Sequence, residues 1–270
     1  MDFDNNIIIL INNDIDELEL FENNLLIDKS DTFKSMTLFL DFFKNNRKIN
    51  IVKKTGDFEL IEDNDIIFND NNKQSLEKIF IHFKKITNYN SSVLELNLID
   101  LERDDEELIQ CLSFLPIIDL KLINCNFNLS VLKNFTITNL DLSETPVTDI
   151  KGICQISKLK KLNLSNNSNI SNLYELKDAK FKQIKELVLS NDNLEDLNII
   201  KMSDYKFDEL EVLDLTNNNI KDITPIKRTF KSLRKLFIKN NNIREQPDFK
   251  EMFVSEVIDF NMWELGTYIK

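Results

Sequence analysis

The chain has 270 residues, 42% of them hydrophobic, which is enough for one large core or two smaller ones. Its formal net charge of -12 makes nucleic acid and anionic membrane poor partners, and no apolar run reaches the roughly 20 residues of a membrane span. One histidine (His82) and three scattered glycines (Gly56, Gly152, Gly266) exclude a histidine-based catalytic triad, a multi-histidine metal centre and a glycine-rich phosphate loop.

Three cysteines (Cys111, Cys125, Cys154) form an odd and sparse set, which fits a reducing compartment and not a disulfide framework. The run IIILI (Ile7 to Ile11) is too short and follows acids, so it does not read as a signal peptide. The expectation is an intracellular protein, cytoplasmic or nuclear, without a cofactor.

Residues 1–90 read as a small α/β domain. Ile7 to Ile11 is a buried-strand pattern, and Glu17 to Phe21 alternates as its hairpin partner. A helix opens at Ser30-Asp31 and buries Phe33, Met36, Phe39, Leu40 and Phe43, which fall three or four apart. Lys48 to Ile61 alternates around Thr55-Gly56-Asp57, which predicts a second hairpin. Asp65 to Phe68 is a short strand, and Gln74 to Ile86 a second helix with Leu76, Ile79, Phe80, Phe83 and Ile86 on its apolar stripe.

Ser30-Asp31-Thr32-Phe33-Lys34-Ser35-Met36 fits S-x-T-x-K-x-M, and Asp65 to Lys85 has the matching strand and helix. This third of the chain resembles the cullin-adaptor branch of the BTB/POZ fold, to which elongin C belongs. The resemblance implies contact with a cullin-type scaffold of a ubiquitin ligase through a surface near Phe80, His82 and Phe83. The alternative is an α/β cap over the first unit of the array that follows.

From Val93 the chain repeats. LEVLDLTNNNI (Leu210 to Ile220) matches L-x-x-L-x-L-x-x-N-x-L, and the first template position recurs at Val93, Ile117, Ile137, Leu159, Ile184, Leu210 and Leu233. The ninth position reads Leu101, Cys125, Thr145, Asn167, Asp192, Asn218 and Asn241; asparagine, cysteine and threonine can serve a ladder of side-chain-to-backbone bonds, and Leu101 marks the first repeat as degenerate and terminal. The pattern is similar to the leucine-rich repeat. It implies a horseshoe-shaped α/β solenoid of seven repeats over residues 91–247, with a parallel sheet on its concave face and a cap over 248–270 that includes Phe249 and Trp263.

The segment Thr148 to Lys158 is expected to be a 3-10 or irregular turn, while 172–183 and 198–209 have room for helices. Cys111 and Cys154 read as small buried apolar groups, and Cys125 as a member of the ladder.

Residues between the strand leucines point into the concavity, the usual binding surface of solenoids. Val188, Val212 and Phe237 make an apolar seam there, beside Asp214, Lys235 and Lys239. The competing reading folds the C-terminal tail over Phe237. Scattered acids offer no catalytic cleft, so the expected function is non-catalytic binding of a protein partner. Its concrete form is a cullin-ligase substrate adaptor. The alternative is a leucine-rich-repeat scaffold or regulatory subunit, acting on a phosphatase or in ribonucleoprotein assembly and mRNA export. The basic stretch from Lys221 to Arg244 reads as a solvated rim; holding RNA is the weaker idea, and a membrane role is not expected.

Overall fold

The computed structural model describes residues 7–11, 18–22, 25–26, 43, 47–53, 65–68, 70, 73–74, 76–77, 80–81, 94–147, 149–168, 176, 179–180, 183–197, 207–226, 230 and 232–243. They belong to two compact units, Met1–Ile137 and Thr138–Lys270.

In the first unit, β1 (Ile7–Ile11) pairs antiparallel with β2 (Leu18–Glu22), which pairs antiparallel with β3 (Leu25–Leu26). The expected first hairpin is therefore present. The remaining strands are β4 (Lys48–Lys53), β5 (Asp65–Phe68), β6 (Glu95–Ile99) and β7 (Asp119–Ile123), side by side in the order β7-β6-β4-β5-β1 and all parallel. The second hairpin is not formed. Strand β4 has one edge on β5 and the other on β6, so no edge is left for an antiparallel return.

Strand β4 behaves as a further repeat strand. Ile49 and Ile51 stand in register with Leu96 and Leu98, which in turn face Leu120 and Leu122, and all six are buried. The carbonyl of Arg47 accepts from the N–H groups of Leu94 and Glu95, as the Leu94 carbonyl does from Ile118 and Asp119. Burial of every residue from Ile49 to Lys53 shows both faces covered, the usual state of a parallel strand and the opposite of a half-solvated hairpin. After β6 the chain makes a 3-10 turn (Arg103–Asp105) and α1 (Glu106–Cys111), whose Leu108 and Ile109 are buried. Cys111, at the end of α1, is half-buried instead of fully packed.

The first expected helix lies outside the described residues except for Phe43, which is helical and buried. Of the second, residues 73, 74, 76, 77, 80 and 81 are helical. Phe43 and Phe80 meet edge-to-face at 5.9 Å, so two aromatic rings lock these segments together.

The second unit carries β8 (Asn139–Asp141), β9 (Lys161–Asn163), β10 (Glu186–Val188), β11 (Val212–Asp214) and β12 (Lys235–Phe237), parallel and in sequence order. Each strand buries its central leucine (Leu140, Leu162, Leu187, Leu213, Leu236) and shows its other side outward, as the period of two requires. The turn predicted over Thr148 to Lys158 contains a 3-10 helix at Ile153–Gln155. The segments with room for helices, and the expected cap over 248–270 with Phe249 and Trp263, lie largely or wholly outside the described residues.

A second periodicity sits one residue before the ladder position. Asp100, Asn124, Glu144, Asn166, Asn191, Asn217 and Asn240 all have positive φ, between 50 and 61°. The left-handed conformation turns the chain off the strand, and it is least costly for asparagine and aspartate among residues with a Cβ. Glu144 is the exception. Glu144→Asn should therefore raise stability by about 0.5–1 kcal/mol in urea unfolding, whereas Asn217→Val should lower it by about 1–2 kcal/mol.

Candidate functional site

Across the second unit the outward side chains fall into rows. By register, Asn139, Lys161, Glu186, Val212 and Lys235 form one row, and Asp141, Asn163, Val188, Asp214 and Phe237 the next. Neighbouring strands are about 4.8 Å apart. Val188, Val212 and Phe237 thus zigzag between rows, and Asp214 separates Val188 from Phe237 within theirs. All four are half-buried, while Lys235 and Lys239 are exposed.

Most charge on this face is already used. Lys161 pairs with Glu186 at 3.0 Å and Lys185 with Glu211 at 2.7 Å. The hydrogen bond and charge of Glu211 raise the Lys185 ammonium, and Lys185 correspondingly lowers the Glu211 carboxyl. Asp214 accepts the N–H of Thr216 at 2.9 Å, Asp141 that of Ser143 at 2.9 Å and Asn163 that of Ser165 at 3.0 Å. These Asx bonds bend the chain at the strand end. Asp214 therefore has a structural task that strand alternation alone does not reveal.

The sequence-derived adaptor surface divides differently. Phe80 is fully buried, which corrects its expected place on a surface: its ring is spent on Phe43. His82 and Phe83 lie outside the described residues. Ile81 next to Phe80 is 43% exposed.

Sequence reasoning missed a charged cluster in the first unit. Lys53 Nζ lies 2.9 Å from Asp70, 3.3 Å from Asp104, 3.2 Å from Asp105 and 3.7 Å from Glu102, with the lysine and Asp105 buried. Lys73 joins it, 3.3 Å from Asp104 and 3.4 Å from Asp105, and donates to the Asp104 carbonyl at 2.7 Å. Asp105 also accepts the Glu102 N–H at 2.8 Å. Burial lowers the Lys53 pKa, but its bonds to Asp70, Asp105 and Asp104 outweigh that and hold it well above the ordinary lysine range. An ammonium held so firmly charged is neither a nucleophile nor a general base. Asp70, Asp104 and Asp105 each bring an oxygen within 4.8 Å of the others, a spacing a cation could use, and the Lys53 ammonium takes that place. The cluster joins β4, the turn after β6 and the helical segment at residue 73. Lys53→Met should cost about 3 kcal/mol or more in chemical denaturation, because it takes the nearer of two ammonium partners from the buried Asp105 carboxylate, and adding Asp105→Asn should recover part of the loss.

The ladder holds a second buried acid. Asn167 Nδ2 donates to the carbonyls of Leu142 and Leu164 at 2.8 Å each, and Asn218 Nδ2 to those of Leu189 and Leu215 at 2.7 and 3.0 Å. Asp192 occupies the equivalent position. Its Oδ1 accepts the Asn167 N–H at 2.7 Å, but Oδ2 stands where an asparagine has its donor and has no hydrogen-bond partner among the described residues. Burial pushes this carboxyl up from 3.8 to about 7, against the bond from Asn167. A protonated Oδ2 can donate to a carbonyl as an amide does. The native state then holds more protons than the unfolded chain between those two values, so Asp192 makes stability fall as pH rises from about 4 to 7. Asp192→Asn should stabilise the protein by on the order of 2–4 kcal/mol at pH 8, with little effect at pH 4, in paired melting curves.

Residues 208–251 match the family model for leucine-rich repeats in two copies. No curated protein matches the chain. Among solved structures, a leucine-rich-repeat protein of Leptospira interrogans is similar over 84% of this chain and 50% of its own, at 21% identity and a TM-score of 0.50. One internalin of Listeria monocytogenes is similar over 65% of this chain and 52% of its own, at 22% identity and a TM-score of 0.48; a second is similar over 57% and 74%, at 23% and 0.41. The chain spans about half the length of the Leptospira protein and of the first internalin. No helix among the described residues is long and apolar enough to cross a membrane. The matched segment carries leucine-rich repeats, and the same parallel α/β register and side-chain ladder recur along the described strands before it.

Proposed function

We propose that the protein is a non-catalytic scaffold that binds a protein partner on the outward face of β8 to β12. The observation that carries this is Phe237. It is a large aromatic left half-buried on a face opposite the core, with Val212 and Val188 close by and a charged border. Interface energy concentrates in such anchors.

The finer reading, a cullin-type adaptor surface near residues 80 to 83, is supported by Ile81, an exposed apolar side chain among the described residues there. It predicts recovery of a cullin with the full chain and loss of that cullin with Ile81→Asp. The scaffold reading is favoured because its anchor lies on a face made of paired strands, with side chains held in fixed register. Affinity purification of the full chain followed by mass spectrometry tests it. Phe237→Ala should weaken capture of the partner by about 2 kcal/mol or more and leave the melting temperature nearly unchanged. A large drop in melting temperature instead would place Phe237 in the interior and defeat the proposal.

A further inference from the structure

The chemistry of the partner follows from which charges on this face are left over, an inference that rests on the outward face of the second unit being the binding surface. Lys161 of β9 pairs with Glu186 of β10, and Lys185 and Glu211, which directly precede β10 and β11, pair with each other. Asp214 spends one oxygen on the Thr216 N–H. Lys235 and Lys239 are different: both are exposed and neither has an ion pair among the described residues.

Their placement is specific. Leu236 and Ile238 are buried, so Lys235, Phe237 and Lys239 share the outward side of one extended segment. If the chain stays extended past β12, the two lysines lie about 13 Å apart with Phe237 midway in sequence. Val212, in register with Lys235, extends the apolar floor towards β10. A chain of net charge -12 thus presents two unneutralised cations around one apolar anchor.

We propose that this face takes an extended acidic peptide segment with the pattern acid–x–apolar–x–acid. Such a segment repeats at the same spacing as the lysines. Its two carboxylates meet Lys235 and Lys239, and its central aliphatic or aromatic side chain packs on Phe237 and Val212. A single-stranded nucleic acid fits less well. It carries a phosphate at every nucleotide against two lysines here, and an aliphatic valine floor offers no second stacking platform.

The test is selection from a phage-displayed random dodecapeptide library on the immobilised full chain, repeated with the K235E/K239E variant and with Phe237→Ala. Expected is enrichment of Asp or Glu four positions apart around an apolar residue. The selected peptide should then lose at least tenfold in affinity for either variant, with both variants melting within a few degrees of the parent. Enrichment of basic or neutral peptides that still depend on Phe237 overturns the acidic assignment and leaves the binding face standing. Peptides indifferent to all three residues, or no enrichment at all, overturn both. Tighter binding of a 12-nucleotide oligouridine than of any selected peptide, lost in K235E/K239E, overturns the choice of a peptide.

Discussion

A parallel strand that must leave its sheet every twenty-odd residues exposes main-chain groups to an apolar core, and each one left unpaired costs about 1–3 kcal/mol. In this chain the ninth residue of the repeat meets that demand. Asn218 alone accepts from the Asp192 and Leu194 N–H groups and donates to the Leu189, Leu215 and Thr216 carbonyls. Asn241 repeats the arrangement one turn later, accepting from Ile220 and donating to Leu215 and Ile238. One amide therefore satisfies two consecutive turns. The leucines beneath supply the burial, but the amide decides how one repeat is placed upon the next.

The substitutions within this ladder are informative because each keeps part of the function. Cys125 donates its thiol to the Leu98 and Ile123 carbonyls at 3.2 and 3.3 Å, where asparagine would place Nδ2, and burial pushes the thiol up to about 11. A thiol held in this way keeps the proton that the ladder bond needs. Thr145 donates its hydroxyl to the Ser143 carbonyl. Asp192 reproduces the accepting half and fails at the donating half unless it holds a proton. The same geometry thus holds a donating thiol at Cys125 and a carboxylate oxygen without a hydrogen-bond partner at Asp192, and the difference lies in which group each can offer.

Much of this was readable from the letters. The strand leucines from Leu96 to Leu236 lie where the template puts them, because alternation in a one-sided sheet leaves a period of two in the sequence. Strand β4 escaped that logic. Its Ile49 and Ile51 match the template, but Lys48 and Lys53 at its ends and Asn50 within it look like a solvated edge. In the fold Asn50 is covered and bonded to Asp65 at 2.7 Å and Asn97 at 2.8 Å. Polar residues that satisfy one another across strands carry no periodic mark. The Lys53 cluster was hidden for the same reason, since its members come from positions 53 to 105 and meet only after folding. On the candidate site, alternation alone identifies the outward residues of β10 to β12, whereas the lack of an ion pair at Lys235 and Lys239 among the described residues needed coordinates. The left-handed eighth position did leave a signal, the run of Asn and Asp just before the ladder residue, and it is explained only by the backbone angles.

Because the ladder works through main-chain N–H groups bonded to buried side chains, amide hydrogen exchange probes it without any substitution. The amides of Asn167, Asp192, Leu194 and Ile220 donate to side chains and not to the sheet. If the ladder holds the repeats together, these four should exchange as slowly as the amides of the paired strands, with opening free energies near that of global unfolding. Exchange of those four at the rate of an exposed loop, while the strand amides stay protected, would contradict the account.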